Sequence, residues 1–203
     1  MTVILTGGRS SRMGRDKGSL SLDGETLLER TIRRWTGVFD GVAVSLGETG
    51  RALPVGVAGI RDLHPGSGPM AGLEAALAAL DTDAVFLTAV DMPFSDPAMA
   101  RWLAGQAGEA DVCLIRRSGG RLEPLFALYR KSCLPVVARS IAGGRRAFTR
   151  GLFPYVAVRE VGEEELAGFD VERSLFNAND PAEWDQARSM MEDLPELRRT
   201  EER

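Results

Sequence analysis

Short apolar runs alternate along this chain with stretches whose apolar residues recur at helical spacing. Val3-Ile4-Leu5 opens the chain and gives way at Gly7-Gly8, a strand end running into a glycine loop. Leu27, Leu28, Ile32 and Trp35 share one face of a helix over 26–35. Val42-Ala43-Val44 and 57–60 read as buried strands. The alanine- and leucine-rich stretch 70–80, entered through Pro65-Gly66-Ser67-Gly68-Pro69, reads as a helix. The apolar run 84–90 is what a central parallel strand requires, and Pro97 opens a short helix through Leu103. This β-α-β-α rhythm predicts a doubly wound α/β sheet.

Beyond residue 110 the pattern changes. Val112-Cys113-Leu114-Ile115 reads as a strand that turns over 116–120 and returns through 125–129, a hairpin rather than a βαβ unit. Helices are expected over 132–141 and 145–152, a strand over 155–159, and a last helix capped near Asp180-Pro181. Trp35, Trp102 and Trp184 all fall on these helices as packing residues. With no repeat or low-complexity linker, residues 1–191 read as one domain and the charged stretch 192–203 as a mobile tail.

Composition narrows the class. A chain of 203 residues suits one core, and a net charge of −4 argues against nucleic acid as a partner. Two cysteines, Cys113 and Cys133, and one histidine, His64, provide neither zinc-ligand spacing nor a disulfide framework. The opening apolar run is too short for a signal peptide and no stretch is long enough to span a bilayer, so a soluble cytoplasmic protein is expected.

Against that mildly acidic background, one loop is basic. Gly7-Gly8 is followed by Arg9, Arg12, Gly14, Arg15 and Lys17 among small polar residues. Glycine lets the main chain approach an anion, and free amides with nearby cations suit a polyphosphate. The spacing is neither that of a Walker loop nor G-x-G-x-x-G. In an open α/β sheet, ligands lie beyond the carboxyl ends of the strands. Asp62 and Asp91-Met92-Pro93-Phe94 fall at two further such ends. Asp91 reads either as a Mg²⁺ ligand shared with substrate phosphates or as a turn cap. Asp62 reads as a ligand contact or an ordinary turn residue, and Arg145-Arg146 as a phosphate contact or a solvated helix start. Asn177 and Asn179 precede the last helix, where Asn179 or Asp180 suits an N-cap.

Taken together, these motifs resemble the molybdenum cofactor guanylyltransferases, over most of the chain from Leu5 to about Trp184. The family's opening L-A-G-G, R-M-G and D-K is similar to Leu5-Thr6-Gly7-Gly8, Arg12-Met13-Gly14 and Asp16-Lys17. G-P-L-A-G is similar to Gly68-Pro69-Met70-Ala71-Gly72, D-M-P-F to Asp91-Met92-Pro93-Phe94, and N-x-N-T-P to Asn177-Ala178-Asn179-Asp180-Pro181. The resemblance implies a Rossmann-like nucleotide-diphospho-sugar-transferase fold, with a mostly parallel sheet and helices on both faces. It implies transfer of GMP from GTP to molybdopterin with release of pyrophosphate. Leu5, Thr6, Gly7, Gly8, Arg12, Gly14, Lys17, Asp62 and Asp91 would bind GTP. Asp91 would hold Mg²⁺, Lys17 and Arg12 would join it in catalysis, and Asn177, Asn179 and Arg145 would meet molybdopterin. Molybdoenzymes or their chaperones would be transient partners.

Three positions depart from the pattern. Thr6 stands where the family has alanine, Ser45-Leu46-Gly47 where it carries a guanine-reading asparagine, and Asp180 where it has threonine. Relatives acting as cytidylyltransferases carry T-A-A-G in the first loop, so Gly7-Gly8 and Asp16-Lys17 favour guanine. The alternatives are a cytidylyl- or guanylyltransferase for a related phosphorylated small molecule, or a non-catalytic nucleotide- or cofactor-binding module.

Overall fold

The computed structural model describes residues 1–6, 18, 20–22, 24–47 and 52–192. Strand β1 (Thr2–Leu5) is followed by a small hairpin, β2 (Ser21–Leu22) and β3 (Glu25–Thr26), then helix α1 (Leu27–Trp35). Next come β4 (Val42–Ser45), β5 (Ala58–Ile60), α2 (Pro69–Ala79), β6 (Ala84–Ala89) and α3 (Pro97–Gly105). The second half comprises β7 (Val112–Arg116), β8 (Leu122–Arg130), α4 (Leu134–Ala142), α5 (Phe148–Gly151), β9 (Val158–Gly162), α6 (Val171–Ser174) and α7 (Pro181–Glu192).

The main sheet has seven strands in the order β5-β4-β1-β6-β8-β7-β9. Strand β8 lies antiparallel to both neighbours, and every other pairing is parallel. The mostly parallel sheet expected from the sequence is therefore present, with the hairpin β7–β8 inserting the one reversed strand. Side chains alternate across it as a pleated strand demands. Ile4, Val44 and Phe86 face a core built with α1, α3 and α7. Val3, Leu5, Ala43, Val85 and Leu87 face a second core built with α2, α4 and α5. Helices cover both faces. On the first, Phe86 stacks against Trp35 at 5.6 Å and meets Phe126 edge-on at 5.0 Å, a geometry that adds to plain burial.

Local chemistry sets the helix ends. Thr26 accepts from Glu29 N while Glu29 accepts from Thr26 N, a capping box that starts α1 at Leu27. Helix α2 is apolar all round apart from Glu74, and is correspondingly buried. It begins at Pro69 behind Gly68, whose φ of +72° belongs to the left-handed region.

Some expectations shift. Ala58 and Gly59 are exposed, so β5 is an edge strand with only Ile60 buried, not the buried strand read from 57–60. Pro154 sits in a 3-10 turn over Phe153–Tyr155, and the last strand starts at Val158 instead of 155. The β2–β3 hairpin, the 3-10 turn Glu163–Leu166 and α6 are too short to leave a periodic trace. Among the described residues, no helix is long and apolar enough to cross a membrane. The charged tail from residue 193 lies outside the described residues.

Candidate functional site at the strand ends

Four parallel strands, β5, β4, β1 and β6, finish side by side, and the residues just past them are tied together. Leu5 O accepts from Val90 N at 2.9 Å, and Ser45 O accepts from both Thr6 N (3.3 Å) and the Thr6 hydroxyl (2.6 Å). The Ser45 hydroxyl, buried at the end of β4, donates to Asp62 Oδ1 at 2.9 Å. Leu5, Thr6, Asp62 and Asp91 thus gather at one edge of the sheet, with Ser45 as the link that sequence reasoning missed. Thr6, the residue that departs from alanine, spends its hydroxyl on this frame. Gly7, Gly8, Arg12, Gly14 and Lys17, the remaining GTP-site candidates, lie outside the described residues.

The start of α2 presses onto this edge. A Cβ at Gly72 would lie 2.6 Å from Leu5 Cδ2 and 2.9 Å from Ser45 Oγ, so any larger residue would have to displace those side chains. The loop from β5 to α2 is held independently. His64 Nδ1 lies 2.7 Å from Glu74 Oε2, a carboxylate only 3% exposed, and the Arg146 guanidinium donates to Gly66 O at 3.2 Å.

Beyond β6, the 91–96 segment is pinned from both sides. Asp91 O accepts from Ala178 N at 2.8 Å, which stitches the 177–179 segment to the end of the central strand. The Arg34 guanidinium donates to Pro93 O at 2.7 Å, Arg173 lies 5.1 Å over the Phe94 ring, and Phe94 meets Phe176 edge-on at 6.0 Å. Burial and the neighbouring cations Arg30, Arg173 and Arg33 push the Arg34 guanidinium below its ordinary value.

Next to this junction lies a cavity of about 560 Å³, lined by Arg117, Ser118, Arg121, Glu172, Phe176, Asn177 and Asn179 among others. Asn177 donates to Leu175 O at 2.9 Å, and Asn179 N donates to Glu183, which fixes the entry to α7. Asp180 serves as the cap expected of it, accepting from Glu183 N at 2.9 Å. The wall opposite is ionic. Arg117, largely buried, pairs with Glu163 and Glu172, and lies 3.7 Å from Glu123. The Ser118 hydroxyl and main-chain N–H, with Arg117, hold Glu163 down at about 2. Asn177 and Asn179 share this cavity; Arg145 does not line it. Arg145 instead stacks on Tyr155, 5.7 Å from the ring centroid, at the far end of α4.

Burial raises the thiols to about 11 for Cys113 and about 12 for Cys133, so neither is a thiolate near neutrality. Among the described residues, no group of three His, Cys, Asp or Glu is placed to hold a metal ion.

Comparison with known proteins agrees with this architecture. Residues 2–158 match the MobA-like NTP transferase domain family. The chain is 36% identical, over 94% of its length and 92% of the relative's, to a probable molybdenum cofactor guanylyltransferase of Pelotomaculum thermopropionicum. In structure it is similar to molybdopterin-guanine dinucleotide biosynthesis protein A from Archaeoglobus fulgidus, with a TM-score of 0.80, 26% identity, and coverage of 95% of this chain and 99% of that one. The fold also recurs at 16% identity in the 2-C-methyl-D-erythritol 4-phosphate cytidylyltransferase of Thermus thermophilus, with a TM-score of 0.64 over 93% and 96% of the two chains. On sequence over nearly its whole length and on fold alike, this chain belongs to the molybdenum cofactor guanylyltransferases, within the MobA-like NTP transferase domain family.

Proposed function

We propose that the protein transfers GMP from GTP to molybdopterin, forming the guanine dinucleotide cofactor and releasing pyrophosphate. The observation that carries this reading is the hydrogen bond from Ala178 N to Asp91 O, 2.8 Å long. It joins the strand-end edge, where Leu5, Thr6 and Asp62 meet, to the cavity lined by Asn177 and Asn179. Donor and acceptor would then approach each other across the Asp91 turn.

In this reading the terminal phosphate oxygen of molybdopterin attacks the α-phosphorus of GTP. One P–O bond forms as the bond to pyrophosphate breaks in line. No protein nucleophile takes part, consistent with the protonated, buried thiols. Transfers of this kind depend on positioning and charge stabilisation. Leu5, Thr6, Gly7, Gly8 and Gly14 would contact the nucleotide through the main chain. Lys17 and Arg12 would offset charge on the departing phosphates, and Asp62 would contact the nucleotide. Asn177 and Asn179 would meet the pterin, with Arg145 outside their cavity.

A divalent cation, Mg²⁺ in our reading, suits the donor set. Asp91 is a hard oxygen ligand on a turn fixed by main-chain bonds, and with no cluster of protein ligands beside it among the described residues, substrate phosphates and water would complete the shell. When bound, the ion supplies Lewis-acid charge stabilisation.

The test is pyrophosphate release from each of GTP, CTP, ATP and UTP in the presence of molybdopterin and Mg²⁺, paired with thermal unfolding. GTP at about 100 times its dissociation constant should stabilise by roughly 2.7 kcal/mol. Release with GTP alone supports the reading, and preference for CTP replaces it with cytidylyl transfer. Stabilisation without release makes the protein a binding module.

A further inference from the structure

Glu74 is the one charged residue in α2 and sits 3% exposed among apolar neighbours. A buried carboxylate is costly unless paired. Its partner is His64, the chain's only histidine, whose side chain remains 51% exposed on the loop between β5 and α2. A single hydrogen bond, 2.7 Å long, joins His64 Nδ1 to Glu74 Oε2. That loop also carries Asp62, two residues before His64, and Asp62 is the loop's contact with the strand-end edge through Ser45. Arg146 anchors the same loop further along, at Gly66 O.

The pair therefore ties the loop to a rigid buried helix at a point next to the nucleotide-site carboxylate. A helix that gained only packing at position 74 would place an apolar residue there. We propose that Glu74, acting through His64, is a positioning residue that holds the 61–68 loop, and with it Asp62, in the conformation that receives the nucleotide. This rests on the nucleotide-site reading above. Neither side chain touches the reacting atoms. Their effect is on the fraction of molecules whose loop is ready, and apparent affinity falls in proportion to that fraction.

The decisive variant is Glu74→Leu, because exchanging a buried charge for an apolar side chain leaves stability equal or improved. Its thermal midpoint should match or exceed the native one while its GTP dissociation constant rises about tenfold, as the ready fraction falls by that factor. The imidazole nitrogen signals of the sole histidine should move to those of a free ring, and kcat at saturating GTP should stay within about threefold. Glu74→Gln keeps an acceptor and should bind GTP nearly as the native protein does. His64→Ala should weaken GTP binding as Glu74→Leu does, and the double variant should be no worse than either single one. Should Glu74→Leu fold poorly, His64→Gln, which can still donate to the buried carboxylate, is the control for His64→Ala. Weak GTP binding in His64→Ala that His64→Gln restores supports the proposal, and native affinity in both overturns it.

Native GTP affinity in Glu74→Leu or His64→Ala would overturn the proposal and leave the pair a packing feature. Failure of the nucleotide reading itself shows elsewhere: the native protein would bind no GTP before any substitution is made, and the proposal would fall with it.

Discussion

The two ends of the candidate site are built differently. At the proposed nucleotide end, the described parts are main-chain amides, the hydroxyls of Thr6 and Ser45, and a glycine that lets α2 touch β1 and β4. At the acceptor end, the cavity wall is held by ion pairs: Arg117 with Glu163 and Glu172, Arg121 with Glu123 at 2.6 Å, and nearby Arg159 with Glu165 at 2.6 Å. Among its described residues the first frame is tied by short hydrogen bonds and closely packed at Gly72. It should resist salt and pH but not added atoms. The second is charge-tied and partly solvated, so screening and protonation should loosen it. Parallel strands explain part of the contrast. Their ends converge and can share short bonds, whereas β9, the 3-10 turn and α6 arrive from different directions and are joined by long side chains.

Asp91 lies where the two ends meet, so its loss should have the largest effect. Asp91→Ala should lower turnover by two orders of magnitude or more, about 3 kcal/mol, and Lys17→Ala should do likewise. Asn177→Ala should instead raise the KM for the acceptor and leave GTP binding unchanged. Steady-state kinetics with each substrate varied in turn distinguishes these, and near-normal turnover in Asp91→Ala would remove the role assigned to that residue. Next in size is Gly72→Ala, which forces a methyl group to within 2.6 Å of Leu5 Cδ2. Overpacking of this kind costs about 1–3 kcal/mol, a fall in midpoint of roughly 2–12 °C at this chain length. A variant that melts with the native protein would mean Leu5 and Ser45 yield, and that the nucleotide end is softer than its packing suggests.

How far the sequence foretells these ends follows the same division. The strand-end edge was legible because each part is announced locally: an apolar run stops at Leu5, another stops before Asp91, and Gly68-Pro69 marks a helix start. The hairpin of β7 and β8 was legible from its turn. What the sequence does not announce is pairing across long separations. Nothing adjacent to Ser45 says that it reaches Asp62, 17 residues on, and nothing near Asn177 says that Ala178 bonds to Asp91. Arg117 meets partners 46 and 55 residues away, beyond any periodicity argument. Arg145 shows the converse: sequence reading grouped it with Asn177 and Asn179, while the fold places it against Tyr155. The shorter-range pair of His64 and Glu74, ten residues apart, has a local sign, since Glu74 breaks an otherwise apolar helix and so calls for a partner.

Smaller effects sharpen the contrast. Ser45→Ala removes the hydroxyl that orients Asp62 without adding volume. GTP should bind about fivefold more weakly, on the order of 1 kcal/mol for one hydrogen bond to a carboxylate, with the midpoint little changed. Titration calorimetry reads this directly, and unchanged affinity would show that the Ser45 hydroxyl is not needed to hold the Asp62 loop.

The smallest effect is in acid, and it distinguishes the two ends by mechanism. Glu163 titrates at about 2 in the folded protein against an ordinary 4.5, held down first by the Ser118 hydroxyl and main-chain N–H and then by Arg117. A carboxylate depressed in this way contributes stability that is fully present above 4.5. The contribution shrinks as pH falls toward 2 and is gone below it. Glu163→Gln lacks that contribution, so its midpoint should lie below the native one near neutrality, and the gap should close between pH 4.5 and 2. Because Glu163 is at the surface the gap will be small. The Gly72→Ala gap, being steric, should stay constant over the same range. If the Glu163→Gln gap persisted unchanged at pH 2, the Arg117 cluster would be acting through packing and not charge, and the two ends of the site would be more alike than their side chains suggest.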